Sequence, residues 1–262
     1  MVNVMNKVVL YKGGQTLAYT EFGHPHGFPV LIQHGMIASI RDRHLFQQLV
    51  DAGARLVSIA RPGYGESSPY RMENIAEWGE IISVLADELG LAQFDVLGIS
   101  SGAPYSYAIG YQLSDRVRNL FILSGTPALY DDKVRAFWPY PLTPEASIPE
   151  LQKLAYELFF AHLSAEDRAR DEVRDSMRND CFGIALDLKL RCNDWGFQLA
   201  EVRGRVTMRH SRADNAVPLA AAEMTARLLP DCRLEIRENA PHFSQAVLDD
   251  FIRTAMARFY KK

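Results

Sequence analysis

The chain has 262 residues, of which 48% are hydrophobic, and carries 29 Lys plus Arg against 32 Asp plus Glu. This composition is typical of a globular protein that buries one substantial core and has room for an inserted subdomain. The formal net charge of −3 offers no basic excess, so neither nucleic acid nor an anionic membrane is expected as a partner.

The start of the chain and its cysteines indicate the compartment. Residues 1–11 lack an apolar core with a small-residue cleavage site, and no apolar run reaches membrane-spanning length. Cys181, Cys192 and Cys232 are odd in number and form no C-x-x-C pair, which argues against a disulfide framework or a zinc site. We therefore expect a cytoplasmic protein whose cysteines are packing residues.

Strand patterns alternate with helical patterns up to residue 125. Residues 8–12 and 15–19 flank Gly13-Gly14, which predicts a β-hairpin because both turn positions accept positive φ. The next predicted elements are strands at 30–32, 55–60, 94–97 and 117–123 and helices at 41–52, 74–89 and 103–113. This alternation predicts an α/β fold with a doubly wound, mostly parallel sheet, and functional groups at the carboxyl ends of its strands.

The alternation stops between residues 126 and 201. Prolines occur repeatedly in the first part of this stretch, and helix-like segments follow. We therefore interpret it as a helical cap inserted into a core of residues 1–125 and 202–262. Residues 165–180 predict one mostly solvent-exposed helix, because only a narrow apolar stripe runs along it. The core then resumes with strands at 205–210 and 232–236 and helices at 219–229 and 244–259.

The pattern G-x-S-x-G occurs at Gly98, Ser100 and Gly102, directly between a predicted buried strand and a predicted helix. The five-residue pattern alone arises readily by chance, so its strand-to-helix context gives it weight. Such a turn holds its serine in a sparsely allowed backbone conformation, and side chains at the flanking glycine positions would collide where strand and helix cross. Ser100 is therefore the predicted nucleophile.

A serine hydroxyl needs a base, and that base needs an acid that fixes its tautomer and stabilises its cation. His242 follows the last predicted strand, and Asp214 follows the strand that resumes the sheet. Each of them singly is equally well explained as an ordinary loop residue. The order Ser, Asp, His along the chain favours a catalytic triad.

Attack on a carbonyl creates an oxyanion, which is stabilised by two preorganised N–H donors. The backbone N–H of Ser101, at the start of a helix, is one candidate. The backbone N–H of Met36, which follows the strand-end pair His34-Gly35, is the other.

Taken together, these segments resemble the α/β-hydrolase fold superfamily over nearly the whole chain. Residues 33–35 (QHG) resemble its strand-end HG motif, residues 61–67 (RPGYGES) its R-x-G-x-G-x-S turn, and residues 193–197 (NDWGF) the segment leading out of the cap in many bacterial members. The roles that this resemblance implies are Ser100 as nucleophile, Asp214 as acid, His242 as base, and Met36 and Ser101 as oxyanion donors.

The chain departs from the family pattern at three positions. Ala60 stands where many members have Asp, Pro241 where a Gly usually precedes the histidine, and His210 where a Gly often follows the strand before the acid. None of the three removes a catalytic group. Pro241 restricts the backbone beside His242, so it affects how that ring is presented.

The residue type at the nucleophile position limits which activities of this family are expected. Dehalogenases and epoxide hydrolases of this fold resemble one another in carrying Asp at the elbow, which Ser100 argues against. C–C bond hydrolases of this fold typically have Trp after the histidine, whereas Phe243 stands here. Proline iminopeptidases hold the substrate amine with acidic cap residues, and no acid of this cap is marked by the sequence as inward-facing. We expect a cofactor-independent serine hydrolase that cleaves a small or medium carboxylic ester through an acyl-enzyme.

Two other functions stay open, and so does the oligomeric state. One is a ligand-binding or signalling protein that turns over slowly or once, and the other is acyl transfer to an acceptor other than water.

Several cap aromatics either line a substrate pocket or pack the cap, namely Phe137, Trp138, Tyr140, Tyr156, Phe159, Phe160, Phe182 and Trp195.

Overall fold

A computed structural model describes residues 7–257 of the chain. The eight strands of its sheet are β1 (Lys7–Tyr11), β2 (Gln15–Gly23), β3 (Pro29–Gln33), β4 (Arg55–Ile59), β5 (Phe94–Ile99), β6 (Val117–Leu123), β7 (Arg205–Ser211) and β8 (Cys232–Arg237). They lie in the order β1-β2-β4-β3-β5-β6-β7-β8. β2 pairs antiparallel with β1 and β4, and the other neighbours pair in parallel. The predicted N-terminal hairpin and doubly wound, mostly parallel sheet are confirmed.

Helices cover both faces of the sheet. They are α1 (Gln47–Asp51), α2 (Ala76–Glu88), α3 (Ala103–Gln112), α4 (Asp132–Arg135), α5 (Ile148–Phe159), α6 (Ala165–Arg168), α7 (Asp171–Ser176), α8 (Arg178–Leu190), α9 (Leu219–Leu228) and α10 (Gln245–Phe251). Alternate strand residues enter two cores: Val30 and Ile32 pack with α1 and α10, and Leu31 packs with α2 and α3. Every residue of β5 is buried, as expected for a central strand covered on both faces.

The chain reverses its course across the sheet at β3, because β4 lies on one side of β3 and β5 on the other. Connections that leave such a point on opposite faces open a crevice beyond the carboxyl ends of the strands, where ligands bind. β3 ends at Gln33 and β5 ends at Ile99, immediately before Ser100. The fold therefore places the predicted nucleophile at the crevice.

Helices α4 to α8 lie between β6 and β7, and no strand occurs in that part of the described chain. We call residues 126–201 the helical segment. The single exposed helix predicted at residues 165–180 is wrong, because the chain forms the separate helices α6 and α7 and then takes positive φ at residues 179–181. Asp175 is buried and accepts hydrogen bonds from Ser39 Oγ at 2.5 Å and Arg41 Nη1 at 2.8 Å. These tertiary contacts hold α7 against the loop after β3 instead of leaving it in solvent.

Two other predicted helices differ in detail. The pattern at residues 41–52 forms a 3-10 turn at Arg43–Phe46 before α1. The closing helix forms as α10 followed by a wider turn at Ile252–Met256, and its predicted end at residue 259 lies outside the described residues, as does the chain before residue 7.

Candidate active site

Ser100 stands at a sharp turn between β5 and α3. Its φ is 51°, the sparsely populated conformation that the motif predicts. A Cβ added to Gly98 would lie 2.3 Å from Ser106 Oγ, and one added to Gly102 would lie 2.2 Å from the carbonyl oxygen of Gln33. Only glycine therefore permits strand and helix to approach closely enough to hold Ser100 in this turn.

His242 lies in the loop between β8 and α10, and its ring reaches Ser100. Its Nε2 is 2.9 Å from Ser100 Oγ, and its Nδ1 is 2.7 Å from Asp214 Oδ2. The hydrogen bond to a carboxylate assigns the proton to Nδ1, so the free Nε2 can accept a hydrogen bond from the Ser100 hydroxyl. Pro241 does not draw the ring away from Ser100.

Asp214 follows β7 and has a side chain with 0% exposure. Its Oδ1 accepts hydrogen bonds from the backbone N–H groups of Ala216 and Val217, both at 2.9 Å. Burial alone would raise the pKa of this carboxyl group, but the hydrogen bonds from His242, Val217 and Ala216 outweigh burial and lower it. Asp214 is therefore ionised at neutral pH and faces His242 as an anion.

His210 lies on the other side of the same carboxylate. Its Nε2 is 2.9 Å from the carbonyl oxygen of Val217 and 3.4 Å from Asp214 Oδ2. Burial lowers the pKa of His210, so the ring is neutral and its Nε2–H points toward the carbonyl and the carboxylate. We call the cluster of His210, Asp214 and His242 the acid side of the site.

The predicted oxyanion donors lie in segments next to Ser100. A Cβ added to Gly35 would lie 3.8 Å from Ser100 Cβ, so the loop that carries Met36 passes beside the turn. Within residues 7–257, the backbone N–H of Met36 donates to no other group. Ser101 lies in the turn that leads into α3 and is buried. Both predicted donors therefore belong to segments that adjoin Ser100.

Arg61 fixes the loop that carries Met36. Its Nη1 donates to the carbonyl oxygen of His34 at 2.6 Å, its Nη2 to that of Gly35 at 3.0 Å, and the same Nη2 lies 3.4 Å from Ser101 Oγ. With its carbonyls held on one side, the peptide between Gly35 and Met36 keeps a fixed orientation. Arg61 therefore acts on the site by positioning the loop.

Asp187 of α8 supplies the counter-charge of Arg61. Its Oδ2 lies 2.6 Å from Arg61 Nη2, and it also accepts hydrogen bonds from Tyr64 and Tyr105, at 2.9 and 2.6 Å. The two charged side chains are only 1% and 4% exposed. Although burial opposes charge, the carboxylate raises the pKa of Arg61 above its ordinary value.

We call His34, Arg61 and Asp187 the oxyanion side of the site. Neither Arg61 nor Asp187 was among the predicted site residues. The available signal was a single acid within the apolar run of residues 184–188 (IALDL), because an ionised side chain in a buried helix requires a partner.

The aromatic residues of the helical segment are divided between core and surface. Phe160 and Trp195 are fully buried, and Phe159 and Phe182 pack against the same core. The exposed members are Phe137, Tyr140 and Tyr156.

Within residues 7–257, no group of three or more His, Cys, Asp or Glu side chains is arranged to hold a metal ion. No helix of that range combines the length and the apolar character needed to cross a bilayer.

Comparison with known proteins gives matches along most of the chain. A family model described as "alpha/beta hydrolase fold" matches residues 29–247. A pimeloyl-[acyl-carrier protein] methyl ester esterase from Aromatoleum aromaticum is 27% identical over 210 residues, which is 73% of this chain and 81% of that protein. A 2-hydroxy-6-oxononadienedioate/2-hydroxy-6-oxononatrienedioate hydrolase from Cupriavidus pinatubonensis is 26% identical over 220 residues, or 76% of this chain and 73% of that protein.

Solved structures show the same architecture. An esterase from Exiguobacterium antarcticum superposes with a TM-score of 0.74 over 98% of this chain and all of that one, at 20% sequence identity. At this identity the similarity describes the fold.

Proposed function

Because the chain belongs to the alpha/beta hydrolase fold family, we propose that it is a serine hydrolase that cleaves carboxylic esters, with Ser100 as the nucleophile. The observation that carries the proposal is the continuous hydrogen-bonded chain from Ser100 Oγ through His242 to Asp214. It combines a nucleophile, a base and an ionised acid at the crevice of the sheet.

In the proposed reaction, His242 Nε2 takes the proton of Ser100 as its Oγ attacks the ester carbonyl. Asp214 accepts the hydrogen bond from Nδ1 and stabilises the imidazolium that forms. The backbone N–H groups of Met36 and Ser101 stabilise the oxyanion of the tetrahedral intermediate.

Collapse of this intermediate breaks the bond to the alcohol, whose oxygen takes the proton from His242. The acyl group is then bonded to Ser100. A water molecule, deprotonated by the same histidine, attacks the acyl-enzyme, and the proton returns to Ser100 as the carboxylic acid leaves. No cofactor is required by these steps.

We further propose that the helical segment is a cap over a core of residues 1–125 and 202–262. Two contacts support this role, one on each side of Ser100. Asp187 of the segment binds Arg61, which holds the loop that carries Met36, and the Tyr140 hydroxyl donates to the carbonyl oxygen of Asn215, next to Asp214. A substrate acyl group would lie between the segment and the sheet.

An ester substrate is supported by the relative from Aromatoleum aromaticum, which is named for the cleavage of a methyl ester. The residue after the base is Phe243, which argues against C–C bond cleavage in this chain. Short-chain carboxylic esters are therefore the substrates to assay first.

The direct experiment is Ser100→Ala with a chromogenic short-chain ester. We expect kcat to fall by about 10⁴-fold or more, because only binding and the oxyanion donors remain. The variant should keep the unfolding midpoint of the wild-type protein. The matched control is Ser114→Ala, which removes a hydroxyl beyond the end of α3. Hydrolysis by Ser100→Ala at the wild-type rate would contradict the proposal.

Labelling separates turnover from binding. A fluorophosphonate should modify the wild-type protein at Ser100 and leave Ser100→Ala unmodified. If the wild type is labelled but releases no more than one product molecule per chain from any ester, a binding or signalling role replaces the hydrolase. Product analysis in the presence of alcohols or thiols reports any acyl transfer.

A further inference from the structure

Two buried nitrogen donors in the helical segment have no acceptor. They are Nε of Arg191 and Nε1 of Trp138, neither of which meets a hydrogen-bond partner among residues 7–257. The two side chains are in contact, since the Arg191 guanidinium carbon lies 5.6 Å from the centre of the Trp138 ring. Nearly all buried N–H groups in folded proteins have partners, so a pair of such donors points to a bound acceptor.

Contacts link these donors to both sides of Ser100. Arg191 follows Asp187 by four residues and retains helical backbone angles, so the two side chains leave the same face of α8 one turn apart. Asp187 binds Arg61 on the oxyanion side. Trp138 packs edge-on against Tyr140 at 5.1 Å, and Tyr140 binds the loop of the acid side.

The charges in this region do not balance. All the hydrogen bonds that the Asp187 carboxylate accepts come from Arg61, Tyr64 and Tyr105, and no carboxylate of the described residues forms a salt bridge with Arg191. Burial lowers the pKa of Arg191, which the Cys192 thiol and the Asp187 charge only partly offset. The guanidinium of Arg191, a residue of intermediate burial, therefore has no carboxylate partner of its own among these residues, and a cation drawn partly out of water without a counter-ion is costly.

We infer that Arg191 and Trp138 bind a carboxylate of the substrate, so that the preferred substrates are monoesters of dicarboxylic acids. This inference rests on the proposed ester hydrolysis. A carboxylate offers two oxygens to a guanidinium fork and further lone pairs to an indole N–H. It would satisfy both donors and neutralise the excess charge, while the ester at its other end lies at Ser100.

The kinetic test compares monomethyl esters of straight-chain dicarboxylic acids with methyl alkanoates of equal chain length. The quantity measured is the ratio of kcat/KM for the carboxylated ester to that for the neutral ester. We expect the wild-type ratio to exceed one and to fall about 10- to 100-fold in Arg191→Met, because a hydrogen-bonded charge is lost. Arg191→Lys should recover part of the ratio through its charge. Arg203→Met, which removes an exposed arginine, should keep the wild-type ratio.

An equal ratio in the wild type and Arg191→Met, for every chain length, would overturn the inference. Thermal unfolding of each variant shows that it is folded. Because Arg191→Lys keeps the charge and length of the side chain, its partial recovery distinguishes ligand binding from a packing role of the arginine.

Binding to Ser100→Ala separates this inference from the proposed function. Calorimetric titration should show the monomethyl ester of adipic acid binding more tightly than dimethyl adipate, and the difference should vanish in the double variant with Arg191→Met. If this holds while the wild-type protein cleaves no ester, the proposed function fails and the carboxylate site stands. If the wild-type protein cleaves esters but the two ligands bind equally well, the proposed carboxylate site is contradicted and the proposed function stands.

Discussion

The acid side and the oxyanion side of Ser100 are built from similar parts that carry different charges. Each contains a carboxylate with almost no exposure, 0% for Asp214 and 4% for Asp187. Each also contains a buried histidine whose pKa is lowered by burial, His210 and His34 respectively. The difference lies in the basic partner of the carboxylate, which is His242 in one case and Arg61 in the other.

This difference separates proton transfer from positioning. A histidine gains and loses a proton near neutral pH, so the pair of Asp214 and His242 can change its charge during a reaction. An arginine keeps its proton, so the pair of Arg61 and Asp187 keeps both charges. The acid side can therefore take part in chemistry, whereas the oxyanion side holds the His34-Gly35 loop and ties it to α8.

The largest expected effect is that of Asp214→Asn on turnover. An amide can donate to Nδ1 of His242 and so favour the wrong tautomer, and it cannot stabilise the imidazolium. We expect kcat for a short-chain ester to fall by about 10⁴-fold while the unfolding midpoint changes little. The exposed Asp231→Asn serves as a control for the chemical change. A loss below tenfold would show that the acid side does not move a proton.

Asp187→Asn should act mainly on stability. Removing one charge of a buried pair leaves the Arg61 guanidinium uncompensated, which destabilises a protein by about 3–5 kcal/mol. Denaturant unfolding measures this loss. We expect kcat of the folded fraction to fall far less than in Asp214→Asn, because no proton passes through Asp187.

A double-mutant cycle sharpens this result. Arg61→Met removes the charge that Asp187→Asn leaves unpaired, so the double variant should be less destabilised than the sum of the two single variants by at least about 2 kcal/mol. Additive losses would show that the two side chains do not act as a pair. A 10³-fold loss of kcat in Asp187→Asn at unchanged stability would assign the oxyanion side a chemical role.

The smallest expected effect is the dependence of stability on pH. His34 and His210 are neutral in the folded chain, and their pKa values lie below the ordinary 6.5. Below pH 6.5 the unfolded chain binds protons at both residues before the folded chain does. Stability should therefore fall as the pH decreases from 6.5 toward the lowered values, by up to about 1.4 kcal/mol per pH unit for each histidine.

Each ring has a structural reason to stay neutral. His34 Nε2 accepts the backbone N–H of Arg61 at 3.2 Å, and a proton there would break that bond beside a guanidinium. Nδ1 of His210 is buried without a partner among residues 7–257. His210→Gln should reduce the loss of stability between pH 7 and 5.5 by about 1 kcal/mol, measured by denaturant unfolding, with the exposed His24→Gln as control. An unchanged slope would show that folding does not lower the pKa of His210.

Local patterns predicted most of the fold and the chain order of the candidate triad. Short apolar runs between turn residues predicted each strand of the sheet, because strands covered on both faces need continuous apolar runs. The flanking glycines of Ser100 were predictable, since only they permit the close crossing of β5 and α3. Asp214 and His242 followed from their places after strands, where a parallel sheet collects functional groups.

The pairings across the interior were decided by the tertiary structure alone. The sequence assigned α7 to solvent, but Asp175 binds Ser39 and Arg41. Asp187 meets Arg61 across 126 residues, a distance that no local pattern encodes. The composition and periodicity of a segment determine whether a helix or a strand forms. The partner of a buried charge depends on which distant side chain the packed fold brings within hydrogen-bonding distance. For the same reason, only the folded chain shows that Arg191 Nε and Trp138 Nε1 have no acceptor among residues 7–257.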